Sequence, residues 1–251
     1  MDLGLAGRAA LVTGAGRGIG AAIAKALAHE GCDVALVDRV VDDAARDVAK
    51  AVESAGRRSL AIAADVRDFA AAEAAVARTV ETFGRLDILV GNAGIAADAM
   101  SWKMSEQQWD DVLDVNLKGC FAYARAAAPV LRERRGGRIV FIASINGLRG
   151  KAGQANYAAS KAGVVALGKT LARELGRAGV TVNVVAPGMV RTPLTEALPV
   201  EVLQRAVDEA ALGRIATPED IADAVVFLCS PRASWVAGAC VVVDGCQSRM
   251  F

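Results

Sequence analysis

The stretch that most constrains this chain is Arg8-Ala9-Ala10-Leu11-Val12-Thr13, followed at once by Gly14-Ala15-Gly16-Arg17-Gly18-Ile19-Gly20. A helical pattern then runs over residues 19–29 and stops at Gly31. An apolar run, a glycine loop and a helix in immediate succession open a dinucleotide-binding unit. The loop's backbone N–H groups and the positive end of the helix suit a pyrophosphate, and side chains in the loop would block its approach. A purely structural glycine turn has the same look in isolation. The strict G-x-G-x-x-G spacing fails, because Ile19 stands where the third glycine counted from Gly14 belongs. The spacing that fits is T-G-x-x-x-G-x-G, on Thr13, Gly14, Gly18 and Gly20.

A second strand covers residues 33–38 and ends in Asp38, near the spacing expected for an acid that binds the adenine-ribose hydroxyls. A helix cap or turn is the alternative role. A carboxylate there repels a 2′-phosphate, which favours NAD over NADP, whereas Arg17 and Arg39 can hold that phosphate. Residues 42–55 read as a helix stopped by Gly56, and residues 58–64 as a third strand leading to Asp65-Val66. Asp65 can bond an adenine amino group or cap the helix over residues 68–83. A fourth strand over residues 86–90 runs into Gly91-Asn92-Ala93-Gly94, where small residues let a nucleotide lie against the backbone. Ser105 opens a helix, and a long central helix starts at residues 114–117. Asn116 is a poor interior helix residue, so its amide either distorts the helix and holds a water or satisfies a local carbonyl.

Residues 138–144 form a fifth strand with Ser144 at its end, and a loop with three glycines leads to a helix over Ala155–Leu175. That helix carries Tyr157-Ala158-Ala159-Ser160-Lys161. Four positions are about one turn, roughly 6 Å of rise, so Tyr157 and Lys161 project from one face. A free phenol titrates at about 10 and is a poor base, but a nearby ammonium favours the phenolate. The pair can serve as a general acid/base towards a carbonyl or alcohol oxygen. A half-buried ring beside a solvated amine is the bland alternative. A sixth strand over residues 180–186 precedes Pro187-Gly188, residues 188–213 suit a mobile substrate loop, Thr217-Pro218 starts a helix, and residues 239–244 form a seventh strand. Strands alternate with helices without linker, repeat or composition break. The expectation is an α/β fold with a doubly wound, parallel seven-stranded sheet, helices on both faces, and one domain over residues 1–251.

A net charge of +1 with interspersed signs gives no reason to expect nucleic acid, and no apolar run reaches membrane-spanning length. The N-terminus lacks a signal-peptide pattern. The five scattered cysteines, with no C-x-x-C, read as reduced thiols in a cytoplasmic protein. The single histidine, His29, has no partners at metal-ligand spacing, so no metal is expected. Arg132, Arg134, Arg135 and Arg138 form a basic cluster that is either a solvated helix end or an anionic-carrier contact.

In order along the chain, Thr13 to Gly20, Asp65-Val66, Asn92 to Gly94, Asn116, Ser144, Tyr157 to Lys161 and Pro187-Gly188 resemble the short-chain dehydrogenase/reductase family. The likeness covers essentially the whole chain and is nearest to the 3-oxoacyl-acyl-carrier-protein reductase-like branch through Gly153-Gln154-Ala155-Asn156-Tyr157. The resemblance implies a Rossmann fold and hydride transfer between a nicotinamide cofactor and a secondary alcohol or ketone. Tyr157 would be the acid/base, Lys161 would lower its pKa and bind the nicotinamide ribose, Ser144 would bond the substrate oxygen, and Asn116 would hold a relay water. Gly14, Arg17, Gly18, Ile19, Gly20, Asp38, Asp65, Val66, Asn92, Ala93, Gly94, Pro187, Gly188 and Thr192 would line the cofactor, together with Tyr157 and Lys161. The family is usually a homotetramer. Two departures stand out, Gly91 in the family's N-N-A-G and Cys246 in its V-D-G-G, the latter near a usual subunit interface.

Three functions follow. The first is an NAD(H)-dependent secondary alcohol dehydrogenase or ketone reductase; NADP(H) stays possible. The second is an NADPH-dependent reductase of 3-oxoacyl thioesters on carrier protein or CoA, such as acetoacetyl-CoA, which Arg17 and the arginine cluster support and Asp38 opposes. The third is a non-catalytic nucleotide-binding regulator, which would not need Ser144, Tyr157, Lys161 and Asn116 together. Ile95, Ile145, Asn146, Leu148, Gln154, Met189, Leu194 and Leu198 are the candidate substrate contacts, mostly apolar with a few amides.

Overall fold

The apolar runs of the sequence become the strands of one parallel sheet. A computed structural model describes residues 2–248. The strands are β1 (Ala9–Thr13), β2 (Asp33–Asp38), β3 (Ser59–Ala63), β4 (Ile88–Gly91), β5 (Gly137–Ile142), β6 (Val180–Pro187) and β7 (Cys240–Val243), in the spatial order β3-β2-β1-β4-β5-β6-β7. Every pairing is parallel. The order reverses between β1 and β4, where Val12 pairs with Leu36 on one side and Val90 on the other. A crevice at such a switch point, beyond the C-terminal ends of the strands, is where α/β sheets bind ligands.

Between the strands lie α1 (Gly18–His29), α2 (Asp43–Ser54), α3 (Phe69–Phe83), α4 (Glu106–Leu113), α5 (Gly119–Glu133), α6 (Asn146–Arg149), α7 (Ala155–Leu175), α8 (Pro193–Glu196), α9 (Val200–Glu209) and α10 (Pro218–Cys229). Two apolar clusters sandwich the sheet. One joins alternate strand residues to α3, α5 and α7, and the other joins the opposite set to α1, α2 and α10. Strands covered on both faces need the near-continuous apolar runs seen in the sequence.

Caps set several helix starts. Ser105 and Gln108 form a capping box at α4, Thr217 and Asp220 another at α10 with Pro218 at the first turn, and Asp42 accepts from the Ala45 N–H at α2. The central helix differs from expectation. It does not start at residue 114: α4 continues through a π-helical turn at Asp114–Lys118 into α5, so Asn116 sits in the wide turn of one long helix. A π turn breaks the usual backbone ladder, and such turns favour functional positions. Cys246, where the family often has glycine, adopts a left-handed φ of 62°.

At the N-terminal end of the sheet the buried Asp87 carboxylate accepts from the Ala9 N–H at 2.9 Å and from Arg85 at 2.6 and 2.8 Å, with Arg134 at 3.6 Å. Burial opposes its charge, but these donors outweigh it and hold the carboxyl below the usual carboxylate range.

Candidate active site

The glycine loop is shaped by contacts that exclude side chains. Gly14 has φ +62°, and a Cβ there would lie 2.9 Å from the Ala93 Cα. A Cβ on Gly20 would stand 2.0 Å from the Gly14 carbonyl oxygen, so α1 packs directly on the loop. Asn92 donates to the carbonyls of Thr13 and Gly14, both at 3.0 Å, and the Thr13 hydroxyl accepts from the N–H groups of Asn92 and Ala93. Asn92 and Ala93 therefore brace the loop from β4. At the start of α1, Arg17 supplies no side-chain cap and the first turn carries no acid. Uncapped amides at a helix N-terminus fit a pyrophosphate. Ile19 packs partly buried against the core behind them, and the Thr192 methyl stands 3.3 Å from a Cβ built on Gly18.

Asp38 aims at the same loop, accepting from the Gly16 N–H at 3.0 Å and from the Arg39 N–H at 2.8 Å. Arg17, by contrast, is ion-paired with Asp42. Asp65 does not cap α3; Asp68 does, accepting from Ala70 and Ala71. The Arg67 guanidinium grips the Asp65 carboxylate and holds it below the usual carboxylate range despite partial burial. Val66 is buried beneath Gly119. Pro187 ends β6 and accepts from the Ile145 N–H at 3.0 Å, while Gly188 packs against Asp244 and Gln247.

The four polar residues singled out in the sequence come together across the C-terminal ends of β4 and β5. Lys161 is buried, 3% exposed, and its Nζ lies 5.7 Å from the Tyr157 ring centroid. Asn116 is fully buried; its Oδ1 accepts from the Ile95 N–H at 2.8 Å, and its Nδ2 donates to the Ile95 carbonyl at 3.0 Å and to Ser160 Oγ at 3.1 Å. The Ser160 hydroxyl in turn donates to the Tyr157 carbonyl at 2.8 Å. Asn116 thus lies in the widened turn and satisfies the peptide groups of Ile95. A Cβ on Gly94 would lie 3.3 Å from both Asn116 Oδ1 and Lys161 Nζ, so the Gly94 backbone closes over this pair.

The electrostatics reverse one expectation. Burial pushes the Tyr157 phenol up, the Ser144 hydroxyl pulls it down, and the Asp98 charge pushes it up again. Burial likewise pushes the Lys161 amine down. Helical spacing does bring the amine beside the ring, but Nζ donates to the Ile142 carbonyl at 2.8 Å, and burial is the largest influence on both groups.

The candidate substrate residues divide. Ile95 is exposed at the site and fixed by Asn116. Ile145 is 2% exposed, and its N–H donates to the Pro187 carbonyl. Gln154 is also buried, with its amide occupied by Asp98 at 2.9 Å and Asn146 at 3.0 Å. Met189 is the second residue of the 188–213 segment, its N–H donating to Gln247 at 2.8 Å. Leu148 packs partly buried on the core and Leu198 is half-buried; the side chain of Leu194 lies outside those described. Asp98 is a site residue that sequence reasoning missed, because no local spacing connects it to Gln154, 56 residues away. Asn156 is another: it is fully buried and donates to the carbonyls of Ala97 and Gln108. The arginine cluster does not act at this site. Arg138 is buried at the start of β5 and Arg134 faces Asp87, both at the opposite end of the sheet.

A switch-point crevice with a glycine loop on one side and a Ser144–Tyr157–Lys161 cluster on the other defines a dinucleotide-dependent oxidoreductase. Comparisons with known proteins agree. Residues 14–246 match the family model described as Enoyl-(Acyl carrier protein) reductase. The 3-oxoacyl-(acyl-carrier-protein) reductase FabG of Staphylococcus aureus is 43% identical over 238 residues, covering 95% of this chain and 97% of its own length. The short-chain reductase protein NovJ of Streptomyces niveus is 46% identical over 243 residues, covering 94% and 92%. The crystal structure of levodione reductase superposes with a TM-score of 0.93 at 35% identity, covering 98% of this chain and 99% of that one. The chain belongs to the short-chain dehydrogenase/reductase family. It is an enzyme that uses a nicotinamide cofactor and acts on CH–OH or keto groups. Among the described residues no helix is long and apolar enough to cross a membrane.

Proposed function

We propose that this enzyme interconverts a secondary alcohol and its ketone with a preference for NAD(H), using Tyr157 as the proton-transferring group. The observation that carries the reading is the meeting of Tyr157, Lys161 and Ser144 beyond β5, next to a loop with Asp38 at its far side. The bound nicotinamide supplies or accepts the hydride. Everything else falls to residues of the chain. Ser144 bonds the substrate oxygen, and Tyr157 gives that oxygen its proton in reduction or takes it in oxidation. Lys161 holds the nicotinamide ribose and sets its positive charge against the burial that raises the phenol, and Asn116 holds the water that reconnects Lys161 to solvent.

The adenosine half would rest against Asp38, Asp65 and Val66, the pyrophosphate against residues 14–20, and the nicotinamide half against residues 92–94, Pro187, Gly188 and Thr192. Asp38 accounts for the NAD preference: its carboxylate repels a 2′-phosphate, and Arg17, already held by Asp42, offers no compensating charge. The chain acts as one domain with residues 188–213 over the substrate.

A reductase of 3-oxoacyl thioesters is the second reading, favoured by the 43% identity to the Staphylococcus aureus reductase. Asp38 opposes it, as does the distance of the arginine cluster from the site. A panel of secondary alcohols, sugars and acetoacetyl-CoA, each with both cofactors, separates the two. Faster turnover of simple ketones with NADH supports the first, and acetoacetyl-CoA with NADPH the second.

Two further features belong to the proposal. Exposed apolar residues, Trp109 and Phe121 on the central helix and Trp235 and Val242 near β7, support a homotetramer, which light scattering would measure. Five free cysteines, three of them buried, support a reducing cytoplasmic location.

A further inference from the structure

We infer that Asp98, Gln154 and Asn146 form a positioning relay for the Ser144–Tyr157 pair, anchored by the Asp98 carboxylate. The three side chains come from separate segments, the loop after β4, the residue before α7 and the start of α6. Gln154 Nε2 donates to Asp98 Oδ2 at 2.9 Å, Asn146 Nδ2 donates to Gln154 Oε1 at 3.0 Å, and the Asn146 backbone N–H donates to Ser144 Oγ at 3.1 Å.

The order of donors is fixed from one end. An ionised carboxylate only accepts, so Asp98 turns the Gln154 amide with its NH₂ outward and its oxygen toward Asn146. That oxygen in turn fixes the Asn146 NH₂, leaving Asn146 Oδ1 for the Arg149 Nε at 3.2 Å. With its lone pair engaged by the Asn146 N–H, the Ser144 hydroxyl proton is free to point at Tyr157 or at a substrate oxygen.

Asp98 is exposed yet held. The Ala99 N–H donates to the Gly153 carbonyl at 2.9 Å, and Asn156 Nδ2 donates to the Ala97 carbonyl at 3.0 Å. The backbone on both sides of Asp98 is thereby fastened around the start of α7, to Gly153 and to Asn156, the residue before Tyr157. The charged groups facing the Tyr157 phenol are Lys161 from its own helix and Asp98 from the loop after β4. Asp98 therefore works in two ways, holding in place, through the Gln154 amide, the Asn146 residue whose backbone N–H meets Ser144, and disfavouring the Tyr157 phenolate by its charge.

This inference rests on the proposed role of Tyr157, and the two can fail separately. Asp98→Ala and Gln154→Ala should each lower kcat roughly tenfold, the scale of a modest misplacement at a reacting centre, with the Kd for NADH unchanged. The Asp98→Ala/Gln154→Ala double variant should be no slower than the slower single, because members of one unit are not additive. A direct readout needs no cofactor. The chain has two tyrosines, Tyr157 and the fully buried Tyr123, whose phenol burial also pushes up. In an ultraviolet titration the phenolate signal that disappears in Tyr157→Phe is that of Tyr157. Asp98→Asn keeps an acceptor for Gln154 but removes the charge, and should lower that titration midpoint by roughly 0.3–0.5 pH unit, the effect of one solvent-screened charge. Additive single effects, or an unmoved midpoint with unchanged kcat, overturn the relay. If Tyr157→Phe itself turns over normally, the role of Tyr157 falls instead.

Discussion

Lys161 Nζ lies 5.7 Å from the Tyr157 ring centroid, yet its hydrogen bond goes to the Ile142 carbonyl at 2.8 Å. The amine is thus anchored to the end of β5, the strand that also leads to Ser144. One helical turn and one strand end together fix where the phenol, the amine and the hydroxyl meet.

Replacing Tyr157 by Phe should leave NADH binding intact and reduce turnover by about 10²–10⁴-fold, the usual worth of a general acid/base. Steady-state kinetics with a parallel fluorescence titration of NADH checks this, and a loss below tenfold counts against the assignment.

Lys161→Met should abolish most activity while stabilising the fold. The buried amine titrates below its ordinary 10.5 because burial disfavours its charge. Its penalty is therefore full below the folded pKa and vanishes as pH rises toward the unfolded value. The variant should gain about 1–3 kcal/mol at neutral pH, a gain that shrinks in alkali. Thermal unfolding over a pH series gives the answer; a lower Tm at pH 7 would show that the amine is well satisfied.

Asp38→Ala should shift the ratio of NADH to NADPH dissociation constants toward NADPH by about tenfold, equivalent to ~1.4 kcal/mol. Because Asp38 also accepts from the Gly16 N–H, NADH affinity should fall at the same time. Equal ratios before and after the change would remove Asp38 from the ribose site.

Asp87→Ala should cost about 3 kcal/mol or more, since it leaves a buried backbone N–H and two arginines without their acceptor. The carboxyl is held below its ordinary range, so its contribution is present above pH ~4 and is lost as pH falls through the folded pKa. Urea unfolding at pH 7 and pH 3 should show the gap between variant and parent closing in acid.

Much of the molecule was legible before any coordinates. The helix at Ala155–Leu175 was read with both ends in place, and the capped start of α10 at Thr217-Pro218 was also read. Strand ends moved by a residue or two, as at β5, which stops at Ile142 and leaves Ser144 in the turn beyond. Harder to read was the continuity of α4 with α5, because the π turn joining them carries Asn116, whose side chain bonds the peptide groups of Ile95, 21 residues earlier.

The sequence by itself determined the alternation of strands and helices, the glycine loop that leaves room for a pyrophosphate, and the shared face of Tyr157 and Lys161. Those features are set by backbone periodicity and by side chains only a few positions apart. The tertiary structure decided that Lys161 donates to Ile142, that burial raises the phenol, that Arg138 is buried far from the site, and that Asp98 reaches Gln154. Desolvation and contacts between distant segments exist only once the sheet has brought those segments together, so no local pattern could encode them.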